Sequence, residues 1–138
     1  MEPAQFLTSS GVLIVAGKGG VGKTTVTAAL AVAASSVGLR VLVVEVEGKE
    51  SMASAFETGT LTYDEQVLVD AARDHAGVHA RTVTPDDALL DYLNERGLQR
   101  LSKRLVSTGL LDVISTAIPG IRDILVLGKV KQLERSGT

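Results

Sequence analysis

Gly17-Lys18-Gly19-Gly20-Val21-Gly22-Lys23-Thr24 is the stretch whose residue types and spacing could do chemistry. It fits G-x-x-x-x-G-K-[ST], the pattern of a loop that cradles nucleotide phosphates. Glycines let the backbone fold tightly enough for successive N–H groups to point at one set of phosphate oxygens. A helix beginning near Gly22 would add the positive end of its dipole at the same place. Lys23 should then reach the β- and γ-phosphates, the Thr24 hydroxyl should ligate Mg²⁺, and Thr25 should meet the α-phosphate. The expected site for ATP with Mg²⁺ is therefore Gly17, Lys18, Gly19, Gly20, Val21, Gly22, Lys23, Thr24 and Thr25. Gly17, Gly19 and Gly22 also match the dinucleotide spacing G-x-G-x-x-G, but the adjoining Lys-Thr belongs to the phosphate loop.

Such a loop works only between a strand and a helix. Val12-Leu13-Ile14-Val15 is a short aliphatic run that reads as a buried strand. An alanine-rich helix is expected from Lys23 to about Val37, with Gly38 placed to stop it. Val41-Leu42-Val43-Val44 is a second aliphatic run, ending in Glu45 and Glu47. The start of the chain thus reads β-loop-α-β, a parallel crossover that should be right-handed. Residues 1–57 form the expected nucleotide-binding unit, and 58–138 a hairpin and helical segment.

Within that second part, 67–72 and 78–83 read as strands around the turn Asp74-His75-Ala76-Gly77. Ser51 to Phe56 suits a short helix with Ser51 as its cap. Thr84-Pro85-Asp86-Asp87 is a helix start, with a cap, a proline at the first position and acids near the positive dipole end. Leu89, Leu90 and Leu93, then Leu98, Leu101 and Leu105, keep helical spacing, and Pro119-Gly120 should open a last helix to about Arg135.

Composition narrows the classes. The 138 residues suit a single domain able to bury a core. A net charge of −2 exerts no general pull toward nucleic acid or anionic lipid. Without cysteine, this stretch holds no disulfide, thiolate zinc site, iron–sulfur cluster or cysteine nucleophile. Met1 to Ser10 has an acid, Glu2, and no basic region, so it does not read as a secretory signal. Abundant alanine, valine and leucine favour a parallel sheet covered on both faces.

Lys18 extends the motif. Lys18-Gly19-Gly20-Val21-Gly22-Lys23-Thr24-Thr25 resembles the deviant Walker A motif of the MinD/ParA/arsenite-pump ATPase superclass. The resemblance implies an α/β P-loop NTPase fold of the SIMIBI type, a parallel sheet flanked by helices. It implies too that Lys18 reaches across an ATP-sandwich homodimer or paralogous dimer to the partner's nucleotide. Val43-Val44-Glu45-Val46-Glu47-Gly48 with Ser54-Ala55-Phe56, and Ile118-Pro119-Gly120-Ile121-Arg122-Asp123, are similar to segments of the arsenite-pump/tail-anchored-protein-targeting (ArsA-like) branch.

In that branch, Glu47 falls where a switch I aspartate positions the attacking water, which makes Glu47 a catalytic candidate beside Lys18 and Lys23. Glu45 is read as a solvated strand-end acid. The branch's arsenite site and zinc clamp need cysteines that this stretch lacks. Its switch II pattern D-x-x-P-x-G is not found: Val67-Leu68-Val69-Asp70 imitates a Walker B strand but lacks the proline and glycine. The chain therefore reads as the N-terminal part of a longer ATPase, truncated before switch II.

His75 and His79 read as surface histidines, the leucines of 89–105 as ordinary core, and Arg100, Lys103 and Arg104 as a solvated face. The expectation is a MgATP-dependent, dimerising ATPase, cytoplasmic or peripheral at a membrane, cycling on a client protein or membrane component without nucleic acid. Two alternatives stay open: a partition- or septum-type positioning ATPase, and a nucleotide-binding fragment without catalysis.

Overall fold

In a computed structural model, residues 2–46 and 51–136 are described. After α1 (Pro3–Ser9), the alanine-rich stretch forms α2 (Lys23–Ser36), which stops as its composition requires. Gly38 takes φ 88° just past the helix end, and Leu39 N–H turns back to the Ala34 carbonyl at 3.1 Å. Next come β1 (Val41–Val46), α3 (Ser51–Ala55), β2 (Gln66–Val69), β3 (Val78–Val83), α4 (Pro85–Glu95), α5 (Gln99–Thr108), α6 (Leu110–Ala117) and α7 (Ile121–Arg135). The α4 start is as expected: Thr84 Oγ1 accepts the Asp87 N–H at 3.2 Å, with Pro85 in the first turn. α1 and α6 carried no sequence expectation.

The sheet has three strands in the order β1-β3-β2. β3 pairs in parallel with β1, placing Val43 opposite Ala80 and Glu45 opposite Thr82. β2 pairs antiparallel with β3, closing the expected hairpin one residue earlier at its start and three earlier at its end. Gly77 is indispensable to that hairpin. Its φ is +86°, and a Cβ there would lie 2.9 Å from the Val69 carbonyl oxygen.

The expected strand Val12–Val15 does not form. These residues carry no ladder among the described residues, and Ile14 is 79% exposed. A parallel strand depends on a partner distant in sequence, which aliphatic composition cannot supply. β1, the expected parallel partner, has its ladder with β3 instead. The fold is thus α/β with a small mixed sheet rather than an all-parallel one.

Helices cover both faces. On one, Val43, Val78 and Ala80 pack with Ala31 of α2 and with Met52 and Ala53 of α3. On the other, Val83 packs with Ala88 of α4 and Val126 of α7. The leucine stripe is only partly core: Leu93 and Leu105 are buried, whereas Leu98 and Leu101 are exposed. No helix among the described residues is long and apolar enough to cross a membrane.

Candidate functional site

The glycine loop runs directly into α2, and Gly22 is that helix's N-cap at φ 91°. Gly20 takes φ 75°. A Cβ at Gly19, Gly20 or Gly22 would meet nothing within 4 Å, so left-handed backbone, not crowding, calls for glycine at Gly20 and Gly22. The open space on this side of the loop leaves room for a ligand.

No side chain caps α2, and its first turn contains no acid. The N–H groups of Lys23, Thr24 and Thr25 therefore have no carbonyl or carboxylate of their own helix to bond. Lys23 Nζ donates to the Lys18 carbonyl at 2.6 Å, folding its ammonium back across the loop. Lys18 is itself exposed. Two lysines of the loop, the first-turn amides and the helix dipole lie together, with no acid in the first turn of α2, an arrangement suited to a polyanion. Thr24 is half-buried at the end of the α2 stripe that faces the sheet. Its hydroxyl is a hard oxygen donor suited to Mg²⁺.

Glu45 departs from the sequence reading. It is not a solvated acid: it is 9% exposed. Its Oε1 accepts both the N–H of Ser51 at 2.9 Å and the Ser51 hydroxyl at 2.5 Å, pinning the start of α3 to the end of β1. Oε2 is buried with no partner among the described residues. Leaving a buried acceptor unpaired costs about 1–3 kcal/mol, so a hydrogen-bond donor brought to this atom would be stabilising. Two sequence signals could have found it: Glu45 shares a strand face with the core residue Val43, and Ser51 is a helix-start residue that needs an acceptor. Glu47, the sequence candidate for water positioning, lies outside the described residues.

Asp70 is exposed in the turn after β2, an antiparallel edge strand, so it does not occupy a Walker B position. His79 is not alone: its Nδ1 lies 2.6 Å from Glu65 Oε1, a pairing brought about by the hairpin and invisible as spacing. Arg100, Lys103 and Arg104 are exposed.

A second polar cluster ties the helical half together. Tyr63 donates its hydroxyl hydrogen bond to Asp91 Oδ2 at 3.0 Å, and Lys129 Nζ donates to the same oxygen. Arg81 stacks on the Tyr63 ring with its guanidinium carbon 4.4 Å from the centroid. Burial pushes the Asp91 carboxyl upward, but hydrogen bonds from Lys129 and Tyr63 outweigh it and hold the carboxyl below its ordinary value. Burial, then the bond to Asp91, drives the Tyr63 phenol well above its usual range. This cluster fastens α4 to α7. A concavity of about 230 Å³ between Val46, Pro85, Arg122, Asp123, Val126 and Leu127 shares no residue with the glycine loop. Its mostly apolar lining suits side chains rather than phosphate, so the loop's own geometry is the better guide to the site.

Residues 10–138 match the family model described as anion-transporting ATPase. ATPase BagA of Mycobacterium tuberculosis is 37% identical over 122 residues, covering 86% of this chain and 35% of that protein. ATPase get3 of Schizosaccharomyces japonicus is 29% identical, covering 90% of this chain and 36% of its own length. A putative arsenical pump-driving ATPase of Prosthecochloris vibrioformis is also 29% identical, over 91% of this chain and 30% of its own. The chain thus spans about a third of the length of the curated relatives it matches.

Proposed function

The chain belongs to the anion-transporting ATPase family, and from that premise we propose that it binds MgATP and hydrolyses it as part of a dimer that cycles on a client. The observation carrying this is the uncapped α2 N-terminus behind Gly20 and Gly22, with Lys18 and Lys23 at the same loop. In this reading the loop amides and the first turn of α2 hold the phosphates. Lys23 exchanges its bond to the Lys18 carbonyl for the β- and γ-phosphates and stabilises the charge that develops there. The Thr24 hydroxyl holds Mg²⁺, which when bound neutralises phosphate charge. Lys18, exposed on the loop, extends to the nucleotide of the partner subunit. Glu47, following β1, is kept as a candidate for orienting the attacking water. Residues 1–57 are the nucleotide-binding unit in this proposal, and 58–138 support it.

Relatives carry the names arsenical pump-driving ATPase and get3. The client in this proposal is a protein or a membrane component. The test is Lys18→Ala in the full chain, followed by light scattering with a non-hydrolysable ATP analogue and by phosphate release. Nucleotide affinity should change little while the dimer and turnover are lost. An unchanged dimer with unchanged turnover would reject the sandwich.

A further inference from the structure

Glu45 combines two observations that its role in the fold leaves unexplained. One carboxylate oxygen clamps Ser51, and the other is buried with no partner among the described residues. Where that second oxygen lies follows from the packing. Val43 and Glu45 are two apart on β1 and share the face covered by α2 and α3. Val43 packs in the same cluster as Ala31 of α2. α2 and β1 are joined by the short link 37–40 and pack together, so they run in opposite directions. Moving from Val43 to Glu45 advances about 7 Å toward the end of the strand. Moving back along α2 from Ala31 to Thr24 advances about 10 Å in the same sense. The packing thus places Thr24 toward the same end of the layer as Glu45, where the glycine loop opens.

We propose that Glu45 is a positioning residue for the divalent cation of the phosphate site, its unpartnered Oε2 accepting a hydrogen bond from a water in the shell of the Mg²⁺ held by Thr24. Mg²⁺ keeps several of its waters when bound beside phosphates, and each such water needs an outer acceptor. A carboxylate supplies it, and Oε2 has no partner among the described residues that would compete for that bond. Because Oε1 of the same carboxylate holds Ser51, cation loading is linked through a single side chain to the position of α3. This inference rests on the MgATP reading above and adds a residue that the glycine motif does not contain.

The experiment is a titration of fluorescent ADP into the full chain with Mg²⁺ and again with EDTA, for wild type, Glu45→Gln and Ser51→Ala. Wild type should bind more tightly with Mg²⁺. Glu45→Gln, of nearly the same shape, should keep the EDTA affinity and lose at least threefold of the Mg²⁺ enhancement. Ser51→Ala keeps the carboxylate and should retain the enhancement, which separates cation positioning from the clamp. Should Glu45→Gln fail to fold by circular dichroism, Glu45→Asp replaces it. Its shorter arm keeps the charge but withdraws it from the water, so a partial loss is expected. Full Mg²⁺ enhancement in the folded Glu45 variant would overturn the proposal while leaving the phosphate site intact. No binding by wild type in either condition would overturn the MgATP reading and this inference together.

Discussion

Lys23→Ala separates a functional lysine from a structural one. Among the described residues its ammonium makes one hydrogen bond, to the Lys18 carbonyl at 2.6 Å, in an exposed loop. A bond of that kind, open to competition from water, contributes about 0.5–1.5 kcal/mol to stability. The first turn of α2 contains no acid that would lose its charge compensation with Lys23. The melting temperature should therefore fall by only a few degrees for a domain of this size. Phosphate is different. A charge-assisted bond from this lysine to phosphate oxygens is worth about 1.5–3 kcal/mol, which is roughly 10- to 150-fold in affinity. Lys23→Ala should bind fluorescent ATP at least tenfold more weakly while melting close to wild type. The measurements are a fluorescence titration and a thermal melt on the same preparation. Equal affinity in the two proteins would refute the phosphate assignment; a loss of affinity accompanied by a collapse of stability would show that Lys23 acts through the fold.

Two further substitutions test the packing that supports the site. Asp91→Asn strips the carboxylate from Lys129, whose side chain is only 9% exposed, and should cost about 2 kcal/mol at pH 7 in a denaturant melt. The Asp91 carboxyl is held below its ordinary value of about 3.9 in the folded state, so its contribution is complete above that value. The difference between Asp91→Asn and wild type should shrink as the pH falls through the lowered folded value, and a pH-independent difference would contradict the ion pair. Gly77→Ala forces a Cβ to 2.9 Å from the Val69 carbonyl oxygen at φ +86°. It should lose about 1–3 kcal/mol from backbone strain alone, and a melt equal to wild type would mean that the hairpin turns differently.

What the sequence determined by itself is what depends on neighbours along the chain. The phosphate loop is eight consecutive residues, and the backbone it requires is written in Gly20 and Gly22. Thr84 with Pro85, Gly38 after α2 and Gly77 in the hairpin were legible for the same reason: a cap or a turn is settled within a few residues. Strand pairing is not local. Val12–Val15 and Val41–Val44 look alike as aliphatic runs, yet only the second finds a ladder, because β3 comes from a segment more than thirty residues away. Burial of polar groups is not local either. Glu45 reads as a surface acid until α2 and α3 close over its strand face, and His79 reads as solitary until the hairpin delivers Glu65. Tyr63, Asp91 and Lys129 are scattered across the sequence, and only the docking of α4 against α7 turns them into one network. The chemistry of the loop belongs to short-range backbone geometry, whereas the surroundings of Glu45, Glu65 and Asp91 were decided by which elements packed together, since desolvation and hydrogen bonding are properties of the assembled layers.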